Sequence, residues 1–449
     1  MSHWFDPTVS AMVAYADTGR AWVAAGEPIA SEADATLVAE RFVHAAAACG
    51  RRVAFFATEG ILSSSPFFRR TLIGEQPVWD PQRWEEKTRG HRSMREQFRR
   101  ARAKGVIVAQ VSPDMLDNDA ELRANLESVV QQWLAARPMA RMGFLVDTEP
   151  LRALEHRLLF VATRDRRPVA LLSIAPVPAR DGWLFEHLLR EPSAPNGTAE
   201  LLVDGAMRAL AERDVRWVSL GLAPLAGPVS GWLRTARFLS RPFFNFRGLS
   251  AFKRKLRPDA WAPIYLAFPR ERSSPLAMLD GLRAFSGRPL LSFAVATALR
   301  GPRPLLTAME YALVPWTIVL ALAPVSPWFP STIVQGLWVA FDLLLLAALG
   351  RLRRRGGTRL AAGLATAASI DAMLTAAQAV FHTVPALQRA ATSGDASVPA
   401  SAVLIVIVAC LAPVVAAAVL WGAARRLARL ERWRGERAFP ATSQSVNNP

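Results

Sequence analysis

Past residue 289 the chain turns apolar in four stretches, 305–325, 331–350, 360–381 and 400–421, and no other feature limits its fold as much. A helix rises about 1.5 Å per residue, so roughly 20 apolar residues cross a hydrocarbon layer about 30 Å thick. Lipid offers a backbone no hydrogen bonds, so such stretches span a membrane as helices. The sequence therefore predicts an all-α four-helix transmembrane domain at 305–424. The apolar piece at 289–299 is too short to span and suits an interfacial position inside a 271–304 linker. Arg300 and Arg303 precede the first stretch, Arg351, Arg353, Arg354, Arg355 and Arg359 follow the second, and Arg425, Arg426, Arg429, Arg432 and Arg434 open a basic tail at 425–449. The other two loops hold Arg389 as their only basic residue. The positive-inside rule then puts both termini of a multi-pass membrane protein in the cytoplasm. Asp342 and Asp371 fall near mid-span, where a carboxylate is costly unless protonated or paired. They are functional candidates, with hydrogen bonds to Gln335 or Gln378, or simple protonation, as the quieter alternative.

The 449 residues carry 54 Lys+Arg against 37 Asp+Glu, a net charge of +17. That excess favours anionic partners, nucleic acid or anionic lipid, although arginines flanking the spans account for part of it. Lysine is scarce: Lys87, Lys104, Lys253 and Lys255 are all there are. Cys49 and Cys410 are too far apart in sequence to suggest a disulfide framework or a zinc site, which fits a reducing compartment. Residues 1–20 lack the apolar core of a signal peptide.

The region before the spans reads as mixed α/β. Apolar periodicity predicts helices at 35–49 and 198–213. Short apolar or alternating runs predict strands at 52–57, 106–111, 158–163, 169–174, 183–187 and 216–220. A Gly-rich P-loop, a His-x-x-x-His pair and a Cys pair are all lacking, which argues against an ATPase, a zincin and a zinc ribbon.

Five segments carry the chemistry. In Pro195-Asn196-Gly197-Thr198, Asn196 or Thr198 can cap the following helix while Gly197 permits close backbone approach. The helix N-terminus is then an anion site, or simply a capped turn. In Glu186-His187-Leu188-Leu189-Arg190, Glu186 can orient an attacking group and His187, titrating near neutrality, can act as a base. Arg190 offers a planar fork to a phosphate, and a half-buried structural histidine is the other reading of His187. In Leu220-Gly221-Leu222-Ala223-Pro224-Leu225, Gly221 and Pro224 let the chain leave a sheet and line a pocket. Phe243-Phe244-Asn245-Phe246-Arg247 with Phe252-Lys253-Arg254-Lys255 interleaves aromatic and basic side chains, which suits a single-stranded RNA end, an anionic head group, or an amphipathic helix with its rings in the core. Finally Arg92, Arg95, Arg99 and Arg102 share one helical face, either solvated or set against a nucleic-acid backbone.

Taken together, 84–268 resembles the catalytic domain of the bacterial phosphatidylglycerol lysyltransferases (aminoacyl-phospholipid synthases), most strongly at 183–266. Arg190, the Asn196-Gly197 loop, the Leu-Gly-x-Ala-Pro-Leu element and Trp261-Ala262-Pro263-Ile264-Tyr265-Leu266 carry the likeness, with Glu186 the nearest carboxylate ahead of Arg190. His187 stands where the family commonly has Asp, and Ile264 where it commonly has Arg. The resemblance implies an α/β (α+β) tandem GNAT-like soluble domain, with an N-terminal GNAT-like half at 1–140 and a C-terminal half at 141–270, ahead of the membrane helices. It implies transfer of an amino acid from aminoacyl-tRNA, the co-substrate, to the hydroxyl of a membrane lipid such as phosphatidylglycerol. No metal or other cofactor is needed for that. Glu186, His187, Arg190 and Asn196 are the expected catalytic residues. Gly197, Thr198, Gly221, Pro224, Asn245, Lys253 and Lys255 are expected to bind substrate, and Arg92, Arg95, Arg99 and Arg102 to bind tRNA. The N-terminal flippase domain of many members is absent, so lipid export is not expected. Another GNAT-type acyltransferase is the alternative enzyme, although the Arg/Gln-x-x-Gly-x-Gly/Ala pyrophosphate motif is lacking. A non-catalytic lipid- or tRNA-binding membrane protein is the alternative outside enzymes.

Overall fold

The computed structural model describes the chain apart from residues 138, 147–148, 241–243, 301, 394–398 and 436–449. Phe243 and the end of the expected basic tail lie outside the described residues. The chain divides into two units, Met1–Ala294 and Val295–Pro449.

The first unit is built on one mixed sheet. In chain order its elements are β1 (Ser2–Phe5), β2 (Met12–Asp17), β3 (Ala21–Ala25), α1 (Glu32–Ala48), β4 (Arg52–Thr58), β5 (Phe68–Trp79), α2 (Trp84–Gly90), α3 (Arg92–Arg102), β6 (Val106–Val111), α4 (Pro113–Asn118), α5 (Ala120–Ala136), β7 (Leu158–Arg164), β8 (Arg167–Val177), β9 (Gly182–Arg190), α6 (Thr198–Ala211), β10 (Val218–Ser219), β11 (Ala223–Pro224), α7 (Gly231–Leu239), α8 (Phe246–Lys255), β12 (Ala260–Pro269) and α9 (Ser274–Ser286). The strands line up as β1-β2-β3-β4-β12-β5-β10-β9-β8-β7-β6, with β11 paired to β5 off that path.

That order makes two similar halves that trade strands at the centre. In one half β3 crosses through α1 to the parallel β4, and in the other β9 crosses through α6 to the parallel β10. Long β5 leaves the first half to pair with β10, and β12 returns from the second half to pair with β4. The two exchanged strands run antiparallel from Ala260 opposite Val78 to Pro269 opposite Phe68.

Each crossover helix forms for a local reason. Ser31 caps α1 by accepting from the Asp34 N–H, and Ala35, Val38, Ala39, Phe42 and Ala46 make one buried stripe. That stripe packs on Val13, Trp22, Phe55 and Phe68. Helix α6 turns Leu202, Val203, Ala206, Met207 and Leu210 onto Phe160, Phe185 and Trp79. Helix α5 covers the opposite face with Leu126, Val129 and Val130 against Leu159, Leu171 and Leu189.

The expected helices at 35–49 and 198–213 and the strands at 52–57, 106–111 and 158–163 correspond to α1, α6, β4, β6 and β7. The strand expected at 216–220 shrinks to Val218–Ser219. Within the stretch read as a linker, 274–286 is helix α9, docked on the sheet by a buried charge. Asp280 accepts from Arg52 Nε and Nη2 at 2.8 and 2.6 Å and from Arg283 Nη1 at 3.1 Å.

In the second unit, four helical segments are long and apolar enough to cross a membrane: Leu305–Leu322, Thr332–Arg354, Thr358–Arg389 and Ala400–Ala428. They lie on α11 (Pro302–Leu322), α13 (Thr332–Arg355), α14 (Thr358–Gln378) with its continuation through a π turn into α15 (Val384–Ser393), and α16 (Ala400–Gly435). The short α10 (Leu290–Arg300) precedes the first of them, and the short α12 (Val325–Trp328) lies between α11 and α13. Ala361, Ala365 and Ala368 make a small-residue strip on α14, packed in one cluster with Ala417, Leu420 and Ala424 of α16. The mid-span carboxylates bond to hydroxyls, not to the expected glutamines. Thr317 donates to Asp342 at 3.2 Å and Thr375 to Asp371 at 3.4 Å. Gln335 instead donates to the carbonyls of Leu320 and Ala323, and Gln378 accepts from Trp338 Nε1.

Removing Arg52 leaves Asp280 buried with only Arg283 for a counter-ion. Arg52→Met is therefore expected to destabilise the first unit by about 3 kcal/mol, read as a lowered urea midpoint at unchanged slope.

Candidate active site at the opened sheet

Strands β9 and β10 are parallel neighbours, yet their ladder holds only Trp183 opposite Val218 and Leu184 opposite Ser219. After Ser219 the chain swings away, and as β11 it pairs Ala223 with Glu75 and Pro224 with Gly74 of β5. Residues 185–190 of β9 therefore keep a hydrogen-bonded neighbour on one side, β8, and face a wedge on the other. In the first half the equivalent pair stays joined from Ala21–Arg52 to Ala25–Phe56. The sheet is open in one half and shut in the other. Strand edges at such an opening present unpaired N–H and C=O groups that a ligand can meet.

The turn that opens the wedge is made by the Leu-Gly-x-Ala-Pro-Leu element. Gly221 sits at φ +66, where an L side chain is strained, and Ser219 Oγ accepts from its N–H at 3.0 Å. Leu225 then donates its N–H to the Ile73 carbonyl at 2.7 Å. Gly221 thus stands where the sequence expects it, just past the end of β10, whereas Pro224 has rejoined the sheet in β11 opposite Gly74.

On the other wall, β9 carries a bulge. Ser173 faces His187 and Ile174 faces Phe185, leaving Glu186 as the extra residue. The bulge brings together two side chains that a regular strand would send to opposite faces. Glu186 Oε1 lies 3.7 Å from His187 Nε2, and Glu186 also pairs with Arg157. His187 is buried, and across the strand the fully buried Ser173 Oγ finds no hydrogen-bond partner among the described residues. Arg190, at the end of β9, is exposed and reaches the Ala194 carbonyl at 3.4 Å.

Elsewhere the structure corrects the expectations. Asn196 is exposed, but Gly197 and Thr198 are buried, and a Cβ on Gly197 would stand 2.2 Å from the Gln97 carbonyl of α3. Thr198 donates back to the Pro195 carbonyl at 2.7 Å and caps nothing. The first turn of α6 is thus covered by α3 at these two residues, not laid open to an anion. Asn245 caps α8, accepting from the Gly248 N–H. Lys255 pairs with Glu200 of α6 at 2.6 Å. Lys253 is 3% exposed and its ammonium donates to the carbonyls of Leu220, Gly221 and Leu222. Burial pulls its pKa down to about 7. Neither lysine presents a free cation to a head group. Arg92, Arg95, Arg99 and Arg102 are exposed on α3, but Arg99 pairs with Glu96 and Arg102 with Asp204.

Three residues escaped the sequence reading. Asp204, 1% exposed, accepts from Trp84 Nε1, Arg102 and Arg208 and so ties α2 and α3 to α6. Arg157 and Ser173 reach Glu186 and His187 only through strand pairing, which no local motif announces.

Residues 1–268 match the family described as phosphatidylglycerol lysyltransferase, C-terminal. A phosphatidylglycerol lysyltransferase of Bacillus subtilis is 24% identical over 294 residues, which is 61% of this chain and 33% of that protein. The chain spans about a third of the length of the curated relatives it matches. Among solved structures, the C-terminal domain of a putative lysylphosphatidylglycerol synthetase from Agrobacterium fabrum superposes with a TM-score of 0.56 at 25% identity, covering 64% of this chain and 89% of that one. The L-PGS of Bacillus licheniformis gives the same TM-score and coverage at 23% identity, a likeness of fold.

Two measurements check this geometry. Gly197→Ala puts a methyl against the Gln97 carbonyl at φ +94, and should cost about 2 kcal/mol or more in urea unfolding of the first unit. Lys253 has a folded pKa below its unfolded one, so the unfolded chain holds the extra proton between about 7 and the ordinary lysine range. Unfolding free energy should therefore rise with pH across that window, and Lys253→Met should remove this part of the slope.

Proposed function

The chain belongs to the family of phosphatidylglycerol lysyltransferase C-terminal domains, and on that premise we propose that it is a membrane-bound aminoacyltransferase. It moves an amino acid from aminoacyl-tRNA to the hydroxyl of a membrane lipid such as phosphatidylglycerol. The observation that carries this reading is the wedge between β9 and β10, which opens inside the family-matched region and in one half only.

The donor is an ester and already activated. The lipid hydroxyl oxygen attacks the ester carbonyl carbon, the bond to the ribose oxygen breaks, and the proton of the attacking hydroxyl ends on that ribose oxygen. The atoms balance without a metal or organic cofactor. Most of the acceleration then comes from holding donor and acceptor together and from main-chain N–H groups near the developing oxyanion. Glu186 and His187, side by side at the bulge, suit the proton transfer. Arg190, at the mouth, suits a lipid or RNA phosphate. On α3, Arg92 and Arg95 extend a basic face toward tRNA phosphates.

The four apolar helices keep the enzyme in the membrane that supplies its acceptor. The arginine-rich loops orient them with the first unit in the cytoplasm, on the side where tRNA is found.

Lipid extracts from cells with and without the protein decide the matter by mass spectrometry. The expected result is a phospholipid heavier by one aminoacyl group, reduced about tenfold or more in Arg190→Ala and Glu186→Gln at equal protein levels. An unchanged lipid profile, with folded protein in the membrane, would sink the proposal.

A further inference from the structure

In a chain with so few lysines, Lys253 is buried at the wedge. Its Nζ lies 2.8 Å from the Leu220 carbonyl, 2.8 Å from that of Gly221 and 2.9 Å from that of Leu222. These residues directly follow Ser219, where the ladder between β9 and β10 ends. In an extended strand successive carbonyls point to alternate sides, so three in a row cannot converge on one point. A segment whose carbonyls do converge cannot be a strand, and the positive φ of Gly221 supplies the reversal that brings them together.

We propose that Lys253 is a positioning residue, which holds the segment Leu220-Gly221-Leu222 off β9 and so keeps the active-site wedge open. This rests on reading the wedge as the site of transfer. The other half of the sheet acts as an internal comparison, because there the corresponding parallel strands stay paired throughout.

The residue type fits the task. A primary amine gathers its N–H donors on one atom, and in its ammonium form it has three, one for each of the three convergent carbonyls. A guanidinium spreads its donors in a plane and cannot replace it. The ammonium is also fixed in place. Its helix, α8, is capped by Asn245, tied to α6 by Lys255 and Glu200, and followed by Leu256, whose carbonyl accepts from the buried Trp79 Nε1 of β5 at 2.9 Å. Residues expected to touch substrate thus form the frame that aims Lys253.

The test uses the full chain in lipid nanodiscs, with Lys253→Met, Lys253→Arg and Gly221→Ala. The last has room for its methyl, with Leu184 Cδ1 as the nearest atom at 3.5 Å, but disfavours the positive φ. Amide hydrogen exchange and aminoacyl-lipid formation are both read. In Lys253→Met and Gly221→Ala, exchange should slow at least several-fold at 185–190 and 220–222 as the strands join, with the rest of the first unit unchanged. Turnover should fall at least tenfold in Lys253→Arg, with KM for the lipid within a few-fold. Exchange that is unchanged at the wedge, or altered throughout the unit, overturns the proposal, as does wild-type turnover in Lys253→Arg. If the wild-type chain makes no aminoacyl-lipid at all, the reading of the wedge as a transfer site fails, and the exchange pattern still decides what Lys253 does.

Discussion

The ten-residue β12 hydrogen-bonds to β5 along its whole length and to β4 on its other edge. Without that ladder the sheet would part into β1-β2-β3-β4-β12 and β5-β10-β9-β8-β7-β6, each with an exposed edge. The seam buries Ile73, Ile264, Leu266 and Phe268 as one cluster, and at its far end Trp79 reaches across to the Leu256 carbonyl. Ile264 therefore has a packing role in the seam. Apolar burial on both faces and main-chain pairing at the seam act together, so the opening between β9 and β10 is set in a rigid frame.

The membrane helices rest on different physics. Lipid is as apolar as leucine, so contact between spans depends on close fit and on the few polar groups that find partners. The alanine strip of α14 supplies the fit. Glu310 and Arg353 pair at 2.8 Å, and the hydroxyls of Thr317 and Thr375 satisfy Asp342 and Asp371 in part.

What the sequence made legible was local. The stripe of α1, the apolar runs of β6 and β7, and the four spans all declare themselves within a window of a few residues, because periodicity and length carry the information. The strand exchange did not, since nothing in β5 says that its neighbours lie at 218–219 and 260–269. The site shows the same division. Gly221 can be placed from conformational preference alone. The place of Lys253 is not legible in its own motif, because its three acceptors lie more than thirty residues away. Glu186 and His187 were adjacent in sequence, but only the bulge, created by pairing with β8, puts their side chains together on the wedge wall.

The strand exchange also orders events during synthesis. β4 and β5 are complete by residue 79, yet β12, which fills the place between them, begins at residue 260. Throughout most of that interval the edges of β4 and β5 that β12 will cover stay without a partner strand, each a template for pairing with another copy. They are covered only when 260–269 has been made, and the first apolar span starts at residue 305, soon afterwards. Closure of the sheet and delivery of the first helix to the membrane are thus consecutive steps. A delay in making β12 prolongs the time in which these edges are open.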